Sequence, residues 1–342
     1  MRTVVVGGTG HIGTYLVPGL VRAGHEVVVL TRGTSTPYSS SGEWSQVELV
    51  QVDRAAEDAA GTFGQRVAGL NADVVVDLIC FTEDSARQLA EALTGNIQHL
   101  LHCGTIWVHG PSASVPTRED TPRKPFGDYG VQKAAIETYL LDQARRHGLP
   151  VTLIHPGHIS GPGWAPVNPA GHLDVAVFEK LAQGAELTLP NLGLETVQHV
   201  HAADVAGIFL AAIANRSVAV GESFHAVAEG ALTLRGYAEA VAAHFGQEAN
   251  LSYQPFEQWK ATVDERSAQT TYDHIAHSPH CSMEKAARLL GFRPRYSALE
   301  TTFEAIDWLV ANEKVTWTRG AGAAAGPRPG ADGTDRPVRR TP

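Results

Sequence analysis

A phenol and an amine stand four residues apart in Tyr129-Gly130-Val131-Gln132-Lys133. On a helix that spacing places both on one face. A phenol, with a pKa of about 10, is a poor acid–base group at neutral pH. An ammonium beside it favours the phenolate and lowers that value. A Tyr and a Lys at this spacing also recur by chance, so the pair takes its meaning from its surroundings. Upstream, an apolar run ends in His102-Cys103-Gly104-Thr105-Ile106-Trp107, which puts a hydroxyl at what reads as a strand end.

The chain begins with a second chemical signal. Thr3-Val4-Val5-Val6 passes directly into Gly7-Gly8-Thr9-Gly10-His11-Ile12-Gly13. Gly7, Gly10 and Gly13 recur every third residue between a strand and a helix. Glycine there allows a tight turn, lets a pyrophosphate approach the backbone, and packs helix against strand. The helix N-terminus then offers unpaired N–H groups to the phosphates. The turn, with His11 and Ile12 inside it, is expected to hold a dinucleotide; a purely structural turn is the alternative.

The end of the second strand bears on which dinucleotide. A carboxylate there would bind the ribose 2′-hydroxyl of NAD. The chain reads Leu30-Thr31-Arg32-Gly33, with an Arg and no carboxylate. Arg32 would bind a 2′-phosphate, and one charge-assisted hydrogen bond of about 1.5–3 kcal/mol is roughly ten- to a hundredfold in affinity. NADP is therefore expected, with NAD possible if Arg32 is only a surface residue. Asp53, at the end of the third strand, could accept from the adenine amino group or simply close a turn.

These residues need a scaffold. From residue 1 to about 155, short apolar runs at 3–7, 26–30, 47–52, 73–80, 99–103 and 150–155 alternate with helix-length segments near 11–23, 57–69, 83–94 and 127–147. The runs are Val-, Ile- and Leu-rich with little alternation, as in parallel strands covered on both faces. The pattern predicts a Rossmann-type, doubly wound parallel α/β sheet over 1–155. Residues 156–317 read as a smaller substrate-binding lobe. It opens with a Gly/Pro-rich loop at 155–172. Helices follow near 173–183, 203–214, 233–246, 282–290 and 298–313, with a strand near 186–190 and a poorly periodic stretch at 251–280. Residues 318–342, rich in Gly, Ala and Pro, read as a disordered tail.

Composition narrows the partners. The 342 residues carry a net charge of −9. The segment 318–342 contributes five Arg and two Asp, so the remainder is more acidic still. An acidic body argues against nucleic acid or an anionic membrane as the main partner. Cys80, Cys103 and Cys281 form no disulfide framework and no metal pair. No signal peptide or membrane-length apolar stretch is legible. The expectation is a reduced, cytoplasmic, soluble protein acting on a small molecule.

Taken in order, the glycine turn, the strand-end hydroxyl and the Tyr/Lys helix resemble the extended short-chain dehydrogenase/reductases, the NAD-dependent epimerase/dehydratase family. The resemblance runs from residue 1 to about 313. His155-Pro156-Gly157-His158-Ile159-Ser160-Gly161-Pro162 is similar to the family's R-P-x-N-x-Y-G-P, and His199-Val200-His201-Ala202-Ala203-Asp204-Val205-Ala206 to its I-H-V-x-D-V-A. Met283 through Phe292 resembles its closing helix. The resemblance implies Tyr129 as the proton-transferring residue, Lys133 as the residue that lowers its pKa and holds the nicotinamide ribose, and Thr105 as the hydroxyl that orients the reacting oxygen. It also implies a homodimer through the helices at 83–94 and 127–147.

Departures from the pattern shape the expected substrate. Ile106 and Trp107 stand where dehydrating members carry an acidic pair, so elimination of water is not expected. Glu195 lies near the place of a diphosphate-gripping Arg, and His155 and His158 replace the usual Arg and Asn. A less charged, sugar- or polyol-like substrate follows, met by His155, His158, His199, Trp107 and Trp164, though ordinary packing would equally account for His199 and the two Trp. The run His274, His277, His280, Cys281 could bind zinc; Pro279 interrupts it, and no metal is expected. The expected activity is interconversion of a secondary alcohol and a ketone, as net reduction or as epimerisation. The rival is a non-catalytic NAD(P)-binding regulator or an RNA-associated relative.

Overall fold

In a computed structural model, residues 1–38 and 41–317 are described; the segment 318–342, read above as a disordered tail, lies outside them. The apolar runs form β1 (Arg2–Val6), β2 (Glu26–Thr31), β3 (Glu48–Gln51), β4 (Val74–Asp77), β5 (His99–Cys103) and β6 (Val151–Pro156). All pair in parallel, with Val4 between Val28 of β2 and Val75 of β4. A seventh strand, Ser223–Ala226, adds to the outer edge of β6, and the sheet runs Ser223–Ala226, β6, β5, β4, β1, β2, β3. The apolar pattern does not announce this strand. It draws the sheet's last member from beyond residue 155, so the first lobe is completed by a segment of the second.

Both faces of the sheet are covered across β2, β1, β4, β5 and β6, which is why these strands lack alternation; the edge strand β3 is largely exposed. On one face, Leu16, Val17 and Leu20 of the helix Gly13–Arg22 pack with Val205, Ile208 and Phe209 of the helix Ala202–Ala214. On the other, Phe63, Leu89 of Glu83–Leu93, and Ile136 and Leu140 of Gly127–Arg146 form a second core. A third core, around Phe178, Tyr237, Trp259 and Ile306, belongs to the second lobe.

The strand order reverses between β1 and β4. In open α/β sheets ligands bind at such a switch point, outside the carboxyl ends of the strands. The glycine turn follows β1, and Thr105 lies two residues past β5.

Two element readings need correction. The segment near 57–69 is two short helices, Arg54–Ala59 and Phe63–Ala68. The stretch 251–280 contains a strand, Leu251–Gln254, and a 13-residue helix, Glu265–His277. That helix buries Thr271, His274 and His277, a polar ridge at three-residue spacing that apolar periodicity does not register.

Candidate active site

Gly7 takes φ +80°, and a Cβ there would sit 2.6 Å from the Ile79 side chain. A Cβ on Gly13 would lie 1.9 Å from the Gly8 carbonyl oxygen, so the helix can approach the strand only without one. Gly10 differs: it is exposed, and its Cβ would meet only the Gly7 carbonyl at 3.4 Å. Two glycines therefore shape the turn and one leaves its outer surface open, beside the N-terminus of Gly13–Arg22. That combination fits a pyrophosphate.

The side chain of His11 turns away from this surface. It is buried, bonds the Tyr38 hydroxyl through Nδ1, and stacks on Trp164 with ring centres 5.1 Å apart. Burial lowers its pKa to about 4. Ile12 is a core residue. Any contact of either with a dinucleotide therefore falls to their backbone.

At the end of β2, the Thr9 hydroxyl meets those of Thr31 at 3.0 Å and Ser35 at 3.1 Å. Arg32 is exposed, and among the described residues its guanidinium has no ion-pair partner; only its carbonyl is engaged, by Gln51 Nε2 at 3.1 Å. Asp53 serves the local structure, since its carboxylate caps the helix Arg54–Ala59 by accepting from the Ala56 N–H at 3.2 Å.

Lys133 is 2% exposed. Its Nζ donates to the Cys80 carbonyl at 2.7 Å and the Cys103 carbonyl at 2.8 Å, beyond β4 and at the end of β5. An ammonium has three donors, so one N–H remains for a ligand hydroxyl. The Nζ sits 5.9 Å from the centre of the Tyr129 ring. The expectation that Lys133 lowers the Tyr129 pKa does not describe the chain itself. The phenol is pushed up to about 12, first by burial of its hydroxyl end and then by the Cys103 thiol, with the Thr105 hydroxyl opposing. The reason is geometric: the ammonium lies by the ring and is committed to two carbonyls.

Thr105 is buried, and its Oγ1 caps the short helix Ile106–His109 by accepting from the Trp107 N–H at 3.3 Å. Its own N–H donates to His155 Nδ1 at 3.0 Å. The other ring nitrogen of His155 meets Glu137 at 3.0 Å, and Arg123 grips Glu137 through two bonds of 2.6 and 2.7 Å. Burial would raise the Glu137 pKa, but His155 and Arg123 outweigh it and hold it down. His155 is fully buried. It props the backbone of Thr105 and cannot touch a substrate, contrary to the sequence expectation.

Around Tyr129 the structure assembles an aromatic wall. Trp107 meets Tyr129 edge-on at 5.8 Å, stacks on His277 at 4.3 Å, and contacts His274 and His158. Phe126 covers the far side of His277 at 4.1 Å. His158 packs against His274 and His199. His199 is fully buried, with Nε2 on the Val167 carbonyl at 3.0 Å, and supports His158 from behind. Trp164 joins the glycine turn through His11 instead of the Trp107 wall. Sequence reasoning missed Phe126, His274 and His277 as parts of the site. The only available signal is the three-residue spacing of the two histidines, which equally suits a zinc run. The run is divided: His274 bonds the Gly171 carbonyl, and the Cys281 backbone pairs with Gln198 and with Thr117. Among the described residues, the one group of three close donors is Asp77, Cys80 and His102; Asp77 is held by Arg54. Glu195 accepts from Asn191 at 2.6 Å.

Comparison with known proteins assigns the fold to one class. The model of the NAD dependent epimerase/dehydratase family matches residues 3–226, more than half of the chain. The protein belongs to that family. It is 31% identical over 137 residues to 2'-dehydrokanamycin reductase of Streptomyces kanamyceticus, covering 40% of this chain and 37% of that one. It is 27% identical over 311 residues to chloroplast stem-loop binding protein of 41 kDa b of Arabidopsis thaliana, covering 87% and 76%. The fold matches UDP-glucose 4-epimerase of Thermotoga maritima with a TM-score of 0.69, at 20% identity, over 92% of this chain and all of that one.

Proposed function

We propose that this protein is an NAD(P)-dependent oxidoreductase or epimerase that interconverts a secondary alcohol and a ketone on a sugar- or polyol-like molecule. The observation that carries the reading is the convergence of Thr105, Tyr129 and buried Lys133 past the carboxyl ends of β4 and β5, in the same sheet whose β1 runs into the glycine turn. The glycine turn and Lys133 would hold a nicotinamide dinucleotide, whose chemistry would be hydride transfer to or from the carbinol carbon. The Tyr129 hydroxyl passes its proton to the carbonyl oxygen, and a phenol held protonated at neutral pH is suited to that donation. The Thr105 hydroxyl donates to the same oxygen and orients it. Lys133 braces the ends of two strands and keeps one N–H for the cofactor ribose. In the reverse direction, with the oxidised nicotinamide as the hydride acceptor, Tyr129 would take the hydroxyl proton; return of the hydride to the opposite face would complete an epimerisation.

Exposed Arg32, which has no ion-pair partner among the described residues and directly follows Thr31 at the end of β2, supports NADP as the preferred form. The absence of an acidic pair at Ile106 and Trp107 tells against dehydration. The test is to incubate the purified protein with NADPH and a panel of neutral ketoses, inosose-type ketones and nucleotide sugars. Oxidation of NADPH by a neutral ketone is the expected result; formation of a 4-keto-6-deoxy nucleotide sugar would overturn it. The stem-loop binding relative supports a second reading, RNA association. The net charge of −9 opposes it, and retention of RNA in a mobility-shift experiment at physiological salt would favour it.

A further inference from the structure

His158 is the least explained polar residue of the site. Among the described residues neither of its ring nitrogens has a hydrogen-bond partner, although both are buried. His199, behind it, leaves Nδ1 unpartnered as well. A buried polar atom without a partner forfeits its hydration for nothing in return, so such atoms call for an explanation. Here His158 lies against Trp107, whose ring also meets Tyr129, and Trp107, Tyr129 and His158 all keep part of their surface in solvent.

The charges around His158 are as informative. The groups that act on it are His274, His199 and His277, with no carboxylate, guanidinium or ammonium among them, and burial first of all holds it well below its ordinary pKa. A neutral imidazole offers one donor and one acceptor. That is the complement of a hydroxyl group, which also gives one and takes one. Among the described residues no cation acts on His158, so an anion at its ring would find no counter-charge beside it. No hydrogen bond fixes the ring, so rotation about χ2, which is broad for His, exchanges its buried nitrogens with its carbon edge.

We propose that His158, backed by His199 and flanked by the Trp107–His277 stack, is a hydroxyl-reading subsite that takes an uncharged ring with adjacent hydroxyl groups and rejects the same ring bearing phosphate or carboxylate. It rests on the reading of Tyr129 as the reacting centre and specifies what that centre meets.

The test measures binding without turnover, so it fails separately from the proposed reaction. Full-length protein saturated with NADPH, which cannot oxidise an alcohol, is titrated with methyl α-D-glucopyranoside and myo-inositol, and with glucose 6-phosphate and glucuronate, by saturation-transfer NMR and Trp fluorescence. The neutral rings bind at least tenfold more tightly than the charged ones. His158→Phe weakens the neutral rings at least tenfold while Tm stays the same or rises, because a residue held for ligand gives up nothing in folding when replaced by carbon. His158→Asn, which keeps a donor and an acceptor, restores most of the affinity and stands as the test should the Phe variant not fold. Equal binding of charged rings, no binding of either neutral ring, or wild-type affinity in His158→Phe would each overturn the proposal.

Discussion

At the glycine turn a single added Cβ on Gly13 would lie 1.9 Å from a backbone oxygen, whereas the wall facing Tyr129 is made of rings drawn from four separate stretches of chain. The turn is specified by backbone sterics within seven residues of the N-terminal strand. The wall is specified by side-chain stacking between residues as far apart as Trp107 and His277. The first is a rigid device shared by many dinucleotide-binding proteins. The second leaves nitrogens unpaired and is where one chain can differ from its relatives. A family match therefore says much about the turn and little about what the wall selects.

The two regions separate most clearly at the proton donor. Tyr129→Phe removes the proton donor and should lower turnover by about 10²–10⁴-fold, while the Kd for NADPH, measured by fluorescence titration, stays within about twofold. Loss of cofactor binding instead would mean that Tyr129 belongs to the turn and not to the chemistry.

Within the turn, the glycines should behave differently. Gly13→Ala forces a backbone shift and should lower stability by about 3 kcal/mol or more, read from urea denaturation. Gly10→Ala should leave the midpoint nearly unchanged and weaken the dinucleotide. Equal effects of the two would show that Gly10 is structural. A smaller effect is expected at the rim: Arg32→Ala should cost NADPH roughly ten- to a hundredfold in affinity and NADH little, by parallel titration. Equal dissociation constants for NADPH and NADH in the unaltered protein would remove Arg32 from the site.

The wall and its surroundings should show themselves in acid. Burial lowers the pKa of His11, His99 and His274 to about 4 and of His102, His109 and His199 to about 3. The unfolded chain binds protons on these groups near pH 6.5 and the folded chain does not. Stability is thus full above about pH 6.5–7 and falls as pH drops towards 4, by about 1.4 kcal/mol per pH unit for each imidazole. The urea midpoint should fall steadily from pH 7 to pH 5, and His274→Gln should reduce the slope by about one proton. A midpoint flat over that range would mean that the imidazoles are charged in the folded state.

How much of the molecule is legible in its sequence follows the same division. The six strands from β1 to β6, the turn and the Tyr/Lys helix are legible because apolar runs, glycine spacing and a four-residue interval are local signals. The helix Glu265–His277 is not, since its buried face is Thr271, His274 and His277. The expectation that His155 meets substrate fails because a sequence does not reveal that its ring lies beneath Gly104, where an added Cβ would come within 2.2 Å of Nδ1. The rise in the Tyr129 pKa is equally hidden, because helical spacing says that Lys133 is near without saying which atoms its ammonium already serves.

The strand Ser223–Ala226 carries a consequence for how the chain is made. During synthesis β6 emerges with its outer edge bare, and roughly 70 more residues must follow before the partner that pairs Phe224 with Ile154 arrives. Such an exposed strand edge is a template for pairing with another chain, and long-range parallel pairing is slow. The nascent first lobe therefore passes through an aggregation-prone interval, closed only when the second lobe delivers its one strand back. The family match ends at residue 226, the last residue of that strand, so the matched stretch takes in the strand that must leave the ribosome before β6 has no open side.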